Sequence, residues 1–259
     1  MSRIITLTTD FGTRDPYVAS MKGVILSLCP DVRIIDLSHE IPPQDVFEGA
    51  QFVASAAPLF PENTIHCIVI DPGVGTSRLP IVAAAGDQLF VLPDNGLLTL
   101  YARQYPIREA RIITNPEFMR SSISATFHGR DMFAPAAARL AQGAAMETAG
   151  EKLTTLTMLD IPVLTTDAEG HLEGAIMHVD RFGNAITNIH RTDLGGRAFS
   201  ELRAGHHRFT EMHETYGDVP PGRALVLFSS NDYLEIAVHR GSAREQLQLA
   251  RGTRVEVRF

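Results

Sequence analysis

The stretch Thr64–Arg78, TIHCIVIDPGVGTSR, decides the fold class. Its first seven residues form a nearly continuous apolar run rich in β-branched side chains, the mark of a strand covered on both faces. The run stops at Asp71, and the Pro72-Gly73 and Gly75 turn that follows delivers a cation, Arg78. A strand buried on both sides implies a parallel or mixed sheet with helices above and below it.

Working outward, strand-like and helix-like segments alternate. Ile4–Thr9 reads as a strand that runs into Asp10, and Tyr17–Leu28 as a helix that stops before Pro30. Val32–Leu37 is a second strand and Asp45–Ala57 a second helix, closed by Pro58. Ile81–Ala85 and Gln88–Leu92 flank the turn Gly86-Asp87. Helix is expected over Gly96–Gln104, strand over Arg111–Thr114, and an Ala-rich helix over Asp131–Gln142. Beyond about Thr157 the helical period fades. Short β-like runs follow at Gly174–Val179, Ala185–Asn188, Ala224–Phe228, Leu234–Val238 and Arg254–Val257, separated by Gly, Pro and Asp. The expectation is an α/β N-terminal domain (residues 1–158; mostly parallel sheet, helices on both faces), a linker (159–168), and an all-β, barrel-like C-terminal domain (169–259).

Composition narrows the function. The 259 residues are 44% hydrophobic and 20% charged, an ordinary globular balance. A net charge of -7 with no basic run argues against nucleic acid. No apolar stretch nears the ~20 residues of a membrane span, and no secretory signal precedes the first strand, so a cytoplasmic protein is expected. Cys29 and Cys67 lie in apolar runs and read as small buried hydrophobes. The ten histidines lack metal-ligand spacing, and His206, His207 and His213 are expected at the surface. Neither a dinucleotide fingerprint, a phosphate-binding loop nor a nucleophile elbow is present.

Ligands of open α/β sheets gather at the carboxyl ends of strands. Three charged turns lie at such positions: TTDFGT with Asp10, VIDPGVGTSR with Asp71 and Arg78, and TFHGRD with His128, Arg130 and Asp131. Spacing alone leaves each open to a plainer reading. Asp10 and Asp71 fit turn chemistry, Arg78 a solvated loop, and His128 a structural histidine.

Taken in order, TTDFGT, DPGVG-x-x-R, LPDNGLLT, TFHGRD, DRFGN and SSNDYLEIAV resemble the S-adenosylmethionine (SAM) hydrolases, or SAM hydroxide adenosyltransferases, relatives of the SAM-dependent halogenases. The likeness runs from Thr8 to the final strand. It implies hydrolysis of SAM to adenosine and methionine, without metal or cofactor, by a homotrimer with sites at subunit interfaces. Asp71, Arg78 and His128 match the water-activating set, with proton acceptor and orienter left open between Asp71 and His128. Asp10 matches the aspartate on the ribose hydroxyls and Asp180 the carboxylate on the methionine ammonium. Phe182 and Asn184 match adenine contacts, and Ser230 a serine at the methionine carboxylate. The halogenating relatives differ: they carry a neutral residue at His128 and lack the acid at Asp71, and the fluorinating branch has a loop for which the chain after Arg78 has no room. Gln44 and Ile186 stand near the positions where that branch sandwiches adenine with tryptophan, and Asn231 where it uses an arginine. The rival functions are a halogenase and a sensor that binds SAM or adenosine without turnover.

Overall fold

The computed structural model describes residues 3–197 and 199–259. The chain divides into two compact units between Leu159 and Asp160. In the first, β1 (Ile4–Thr9), β2 (Arg33–Ser38), β3 (Ile65–Val69), β4 (Pro80–Ala85), β5 (Gln88–Pro93) and β6 (Ile107–Ile112) form one mixed sheet in the order β2-β1-β3-β5-β4-β6. The β1/β2, β1/β3 and β3/β5 ladders are parallel, and β4 runs antiparallel to both β5 and β6.

Alternation along β3 and the residue after it shows why the run is apolar at every position but His66, whose Nδ1 meets the Thr6 hydroxyl at 2.7 Å. Cys67 and Val69 pack into one core with Met21 and Ile25 of helix α1 (Tyr17–Leu28) and with Ala134 and Ala137 of helix α3 (Ala134–Ala141). Ile68 and Ile70 point the other way, into a second core with Val53 of helix α2 (Val46–Ala56). Successive strand residues face opposite sides, so a sheet with helices on both faces buries every position and favours apolar side chains along the whole strand. Asp45 caps α2 by accepting the Glu48 backbone N–H, which starts that helix one residue later than the sequence suggested.

Three expectations are corrected. Gly96–Gln104 is not a helix: it is a series of turns ending in one 3-10 turn, Tyr101–Arg103. Gly96 sits at φ 98°, where a Cβ would lie 2.7 Å from Leu159 Cγ, and helical φ is excluded there. The strand placed at Arg111–Thr114 lies earlier, at Ile107–Ile112; it is an edge strand, and Arg108, Glu109 and Arg111 masked its apolar alternation. The helix expected over Asp131–Gln142 begins as a π-helical turn, Gly129–Phe133, and becomes α-helical only at Ala134. Pro135 has no N–H to give the Asp131 carbonyl, which accepts the Arg120 N–H at 2.9 Å instead.

The second unit is an antiparallel, barrel-like sheet. It comprises β7 (Thr165–Thr166), β8 (Leu172–Val179), β9 (Ala185–His190), β10 (Glu201–Ala204), β11 (His207–Phe209), β12 (Ala224–Phe228), β13 (Tyr233–Val238) and β14 (Arg254–Arg258), with a short helix α4 (Ala243–Gln246). The order is β11-β10-β14-β8-β9-β13-β12, and β7 pairs with β8. Ile176, Ile189, Leu202, Val226, Ile236 and Val255 fill its core. No helix among the described residues is long and apolar enough to cross a membrane.

Candidate active site

Asp71 stands at the carboxyl end of β3, and the turn after it is built to bring Arg78 back over it. Val74 N–H donates to the Asp71 carbonyl and Thr76 N–H to the Gly73 carbonyl; the Thr76 hydroxyl then accepts the Arg78 N–H at 3.3 Å. Arg78 Nε donates to Asp71 Oδ1 at 3.0 Å and Nη2 to Oδ2, a bidentate pair with the two side chains only 7% and 5% exposed. Burying two charges is costly and is offset only when partners are close and well directed. Nη2 also meets His128 Nδ1 at 3.1 Å. A guanidinium can only donate, so Nδ1 accepts and the neutral ring carries its proton on Nε2. The three residues read from the resemblance as water-activating are therefore one connected group.

His128 is held from two directions. Gly75, at φ 75°, lies so close to the loop before His128 that a Cβ would fall 2.5 Å from the Ala125 carbonyl oxygen. The π-helical turn after His128 buries Asp131 completely, where it accepts from Arg120, Arg130 and the Ser124 N–H. Burial opposes its ionisation, but these bonds prevail and hold its carboxyl far below the usual range. Arg130 and Asp131 of TFHGRD thus brace the loop. Phe133 of the same turn lies 5.3 Å below the Arg78 guanidinium, a cation–π contact.

The electrostatics suit chemistry with water. Burial and the charge of Arg78 lower the His128 pKa, against a smaller opposite pull from Asp71 and Asp131, so the ring is neutral at pH 7. Arg78 Nη1 is buried and has no hydrogen-bond partner among the described residues, which leaves two N–H donors beside the ion pair. Asp10, at the end of β1, belongs to the same neighbourhood: its pKa is raised, mainly by burial and in part by the Asp71 charge, while the Gln44 N–H on Oδ2 at 2.8 Å pulls the other way. Gln44 reaches it from a left-handed backbone conformation, φ 65°.

The remaining sequence-derived residues lie in the second unit. Asp180 Oδ1 accepts the Phe182 and Asn184 N–H groups at 2.9 and 2.8 Å, and Oδ2 accepts Asn184 Nδ2 at 3.1 Å. One carboxylate therefore shapes the β8–β9 turn that presents Phe182, which is 77% exposed, and Asn184, which is buried. Ser230 and Asn231 are exposed in the β12–β13 turn, and Ile186 sits on β9. In the same unit the buried Glu235 accepts the Tyr216 hydroxyl at 2.7 Å; burial raises its pKa, with Asp180 adding to the shift.

Other side chains divide into those sequence reading missed and those it placed differently. LPDNGLLT is structural: Asn95 Nδ2 donates to the Ile70 carbonyl just before Asp71, and Asp94 and Thr99 accept from Thr157 and Leu159. Its signal was the mixture of Asp, Asn and Gly at a strand end. His207 is half-buried, with Nε2 3.0 Å from the Leu247 carbonyl, contrary to its expected surface place. Cys29 and Cys67 are free thiols, and burial pushes that of Cys67 up to about 12. Asp167, Glu169 and His171 could each offer one metal-ligand atom within 4.8 Å of the others. They are mostly exposed, and the Asp167 carboxylate is already engaged by the Glu169 and His171 N–H groups of its own turn.

Residues 5–150 match the SAM hydroxide adenosyltransferase N-terminal domain, and residues 174–256 the C-terminal domain of the same family. A Thermus thermophilus protein named (R)-S-adenosyl-L-methionine hydrolase is 40% identical over 98% of this chain and 99% of its own. A Nocardia brasiliensis fluorinase is more distant, at 31% identity over 98% of this chain and 96% of its own. The crystal structure of an uncharacterized conserved protein from Thermotoga maritima superposes with a TM-score of 0.91 at 38% identity, over 98% of this chain and 99% of that one. The chain belongs to the SAM hydroxide adenosyltransferase family.

Proposed function

We propose that this chain hydrolyses S-adenosyl-L-methionine to adenosine and L-methionine by attack of water on the ribose 5′ carbon. The carrying observation is the buried Arg78, tied to Asp71 and His128 and retaining an unpaired Nη1 beside them. Water is a poor nucleophile, whereas the sulfonium is already a good leaving group and needs no acid. The barrier therefore lies in making hydroxide character, and a preorganised cation lowers it most. As the O–C5′ bond forms, the C5′–S bond breaks and its electron pair stays on sulfur, giving the neutral thioether of methionine. The water loses one proton. His128 donates from Nε2 in the tautomer fixed by Arg78 and orients the water; Asp71, whose oxygens keep free lone pairs, takes the proton.

Asp10 holds both ribose hydroxyls and so aligns the 5′ carbon. Asp180 takes the methionine ammonium, Phe182 and Asn184 the adenine, and Ser230 the methionine carboxylate. No metal or cofactor is used. The working form is a cytoplasmic homotrimer with sites at subunit interfaces, a reading supported by the family resemblance. The relative's name specifies the (R) epimer at sulfur, and we extend that preference to this chain.

Incubation of purified protein with SAM to completion, followed by chromatography, tests the reading. Adenosine and methionine in equal amounts are expected. SAM recovered intact in a stoichiometric complex would make the protein a sensor, and 5′-chloro- or 5′-fluoroadenosine formed with added halide would make it a halogenase.

A further inference from the structure

Behind the turn that carries Asp10 runs a row of polar side chains the reaction above does not use. Lys22 of α1 pairs with Asp36 Oδ2 on β2, and Asp36 Oδ1 lies 3.0 Å from His39 Nε2. His39 Nδ1 lies 2.9 Å from Thr9 Oγ1, and Thr9 Oγ1 accepts the Phe11 N–H at 3.3 Å. The row starts at half-exposed groups, Lys22 and Asp36, and passes inward through His39 and Thr9, both buried. It ends on the backbone of the residue next to Asp10.

Its direction follows from donor and acceptor rules. Asp36 Oδ1 stands 3.0 Å from Nε2 but out of hydrogen-bond line, and its negative charge favours a proton on that nitrogen. With that proton on Nε2, Nδ1 accepts the Thr9 hydroxyl, which turns an oxygen lone pair toward the Phe11 N–H. Asp36 is suited to the start of the row: burial disfavours its charge, but bonds from Lys22 and His39 outweigh this and hold its carboxyl below the usual range. The same segment grips the turn twice more. The His39 carbonyl accepts the Gly12 N–H at 2.7 Å, and Gln44, five residues on, donates its N–H to the Asp10 carboxylate. Residues on both sides of Asp10, and Asp10 itself, are thus tied to the stretch from His39 to Gln44.

We infer that His39 is a positioning residue for the ribose subsite, fixing through Thr9 and the Gly12 N–H the turn that aims the Asp10 carboxylate at the sugar hydroxyls. The inference rests on the ribose role proposed for Asp10 and adds to it a residue that does not touch substrate. A carboxylate that must meet two hydroxyls at once tolerates little displacement, and a supporting contact misplaced by about 1 Å costs on the order of 10²-fold in rate. A merely structural histidine would behave differently on substitution, because its loss would weaken turnover of every substrate alike.

The test is a cycle between protein and substrate. kcat/KM is measured for wild type, His39→Leu and Thr9→Val, each with SAM and with its 2′-deoxy analogue. Thr9→Val keeps the buried shape and removes only the hydroxyl, so it serves if His39→Leu does not fold. A hydrogen bond to a charged group contributes about 1.5–3 kcal/mol, so wild type should lose roughly 10- to 150-fold on the deoxy analogue. In the variants kcat/KM for SAM should fall about tenfold or more, while the deoxy penalty shrinks to less than about threefold. Equal penalties in wild type and both variants overturn the role of His39 alone. A wild-type enzyme indifferent to the missing hydroxyl overturns the ribose role of Asp10, and the inference with it.

Discussion

Replacing Arg78 by lysine separates the charge of this residue from its fork. Arg78 uses Nε and Nη2 on Asp71, shares Nη2 with His128, and keeps Nη1 unpaired. Alanine would leave the nearly buried Asp71 without a counter-charge, at a cost of about 3–5 kcal/mol. At about 2–4 °C per kcal/mol for a domain of this size, that is a drop of roughly 6–20 °C in melting temperature. Lysine keeps the charge and avoids most of this loss, but a single ammonium cannot reproduce a bidentate fork and still present a donor to the nucleophile. Losing one preorganised donor to developing negative charge costs about 10²–10³ in kcat, or about 2.7–4 kcal/mol. Arg78→Lys should therefore melt within a few degrees of wild type and turn SAM over at least about 100-fold more slowly, with KM little changed. Calorimetry and saturating-substrate kinetics followed by chromatography of adenosine give both numbers. A kcat within about threefold of wild type would refute the reasoning, since a generic cation would then suffice.

Asp10→Asn should raise the melting temperature at pH 7 while cutting kcat/KM by roughly 10- to 100-fold. Burial raises the Asp10 pKa, so its ionised form destabilises the fold above the unfolded value of about 3.9, and the gain from Asn should vanish in melts below that pH. Because burial and Arg78 lower the His128 pKa, its ring gains a proton only below the ordinary value of about 6.5. A rate profile should therefore have the midpoint of its acid limb below pH 6.5; an acid limb centred above 7 would contradict the neutral ring. Gly75→Ala forces both a left-handed alanine and a clash with the Ala125 carbonyl. It should displace the loop bearing His128 and abolish most turnover, which kinetics and a heat-capacity scan would show together.

The sequence carried the frame of the molecule well because β3 is unambiguous. A run apolar but for His66, facing Met21 and Ile25 on one side and Val53 on the other, leaves no choice but a sheet between helices. What failed were elements whose conformation is set from a distance. Gly96 is fixed by Leu159, far along the chain, and the π-helical turn at Gly129–Phe133 by the Arg120 N–H on the Asp131 carbonyl. β10 and β11 were missed because they are short, and Glu201, Arg203 and Arg208 break their apolar pattern while pairing with one another. At the candidate site, Asp10 and Asp71 were legible as charges ending buried strands. Arg78 and His128 gained meaning only from the family resemblance, since no local pattern shows that residues fifty apart share a hydrogen bond. His39 was invisible for the same reason: its partners, Thr9 and Asp36, lie on two different strands.

Turnover in oxygen-18 water, with mass spectrometry of the nucleoside, tests the central claim most directly. The account predicts one heavy oxygen per adenosine, located on the 5′ carbon, and methionine without label. Label in the methionine, or adenosine formed without it, would place bond breaking elsewhere and contradict attack by water at C5′.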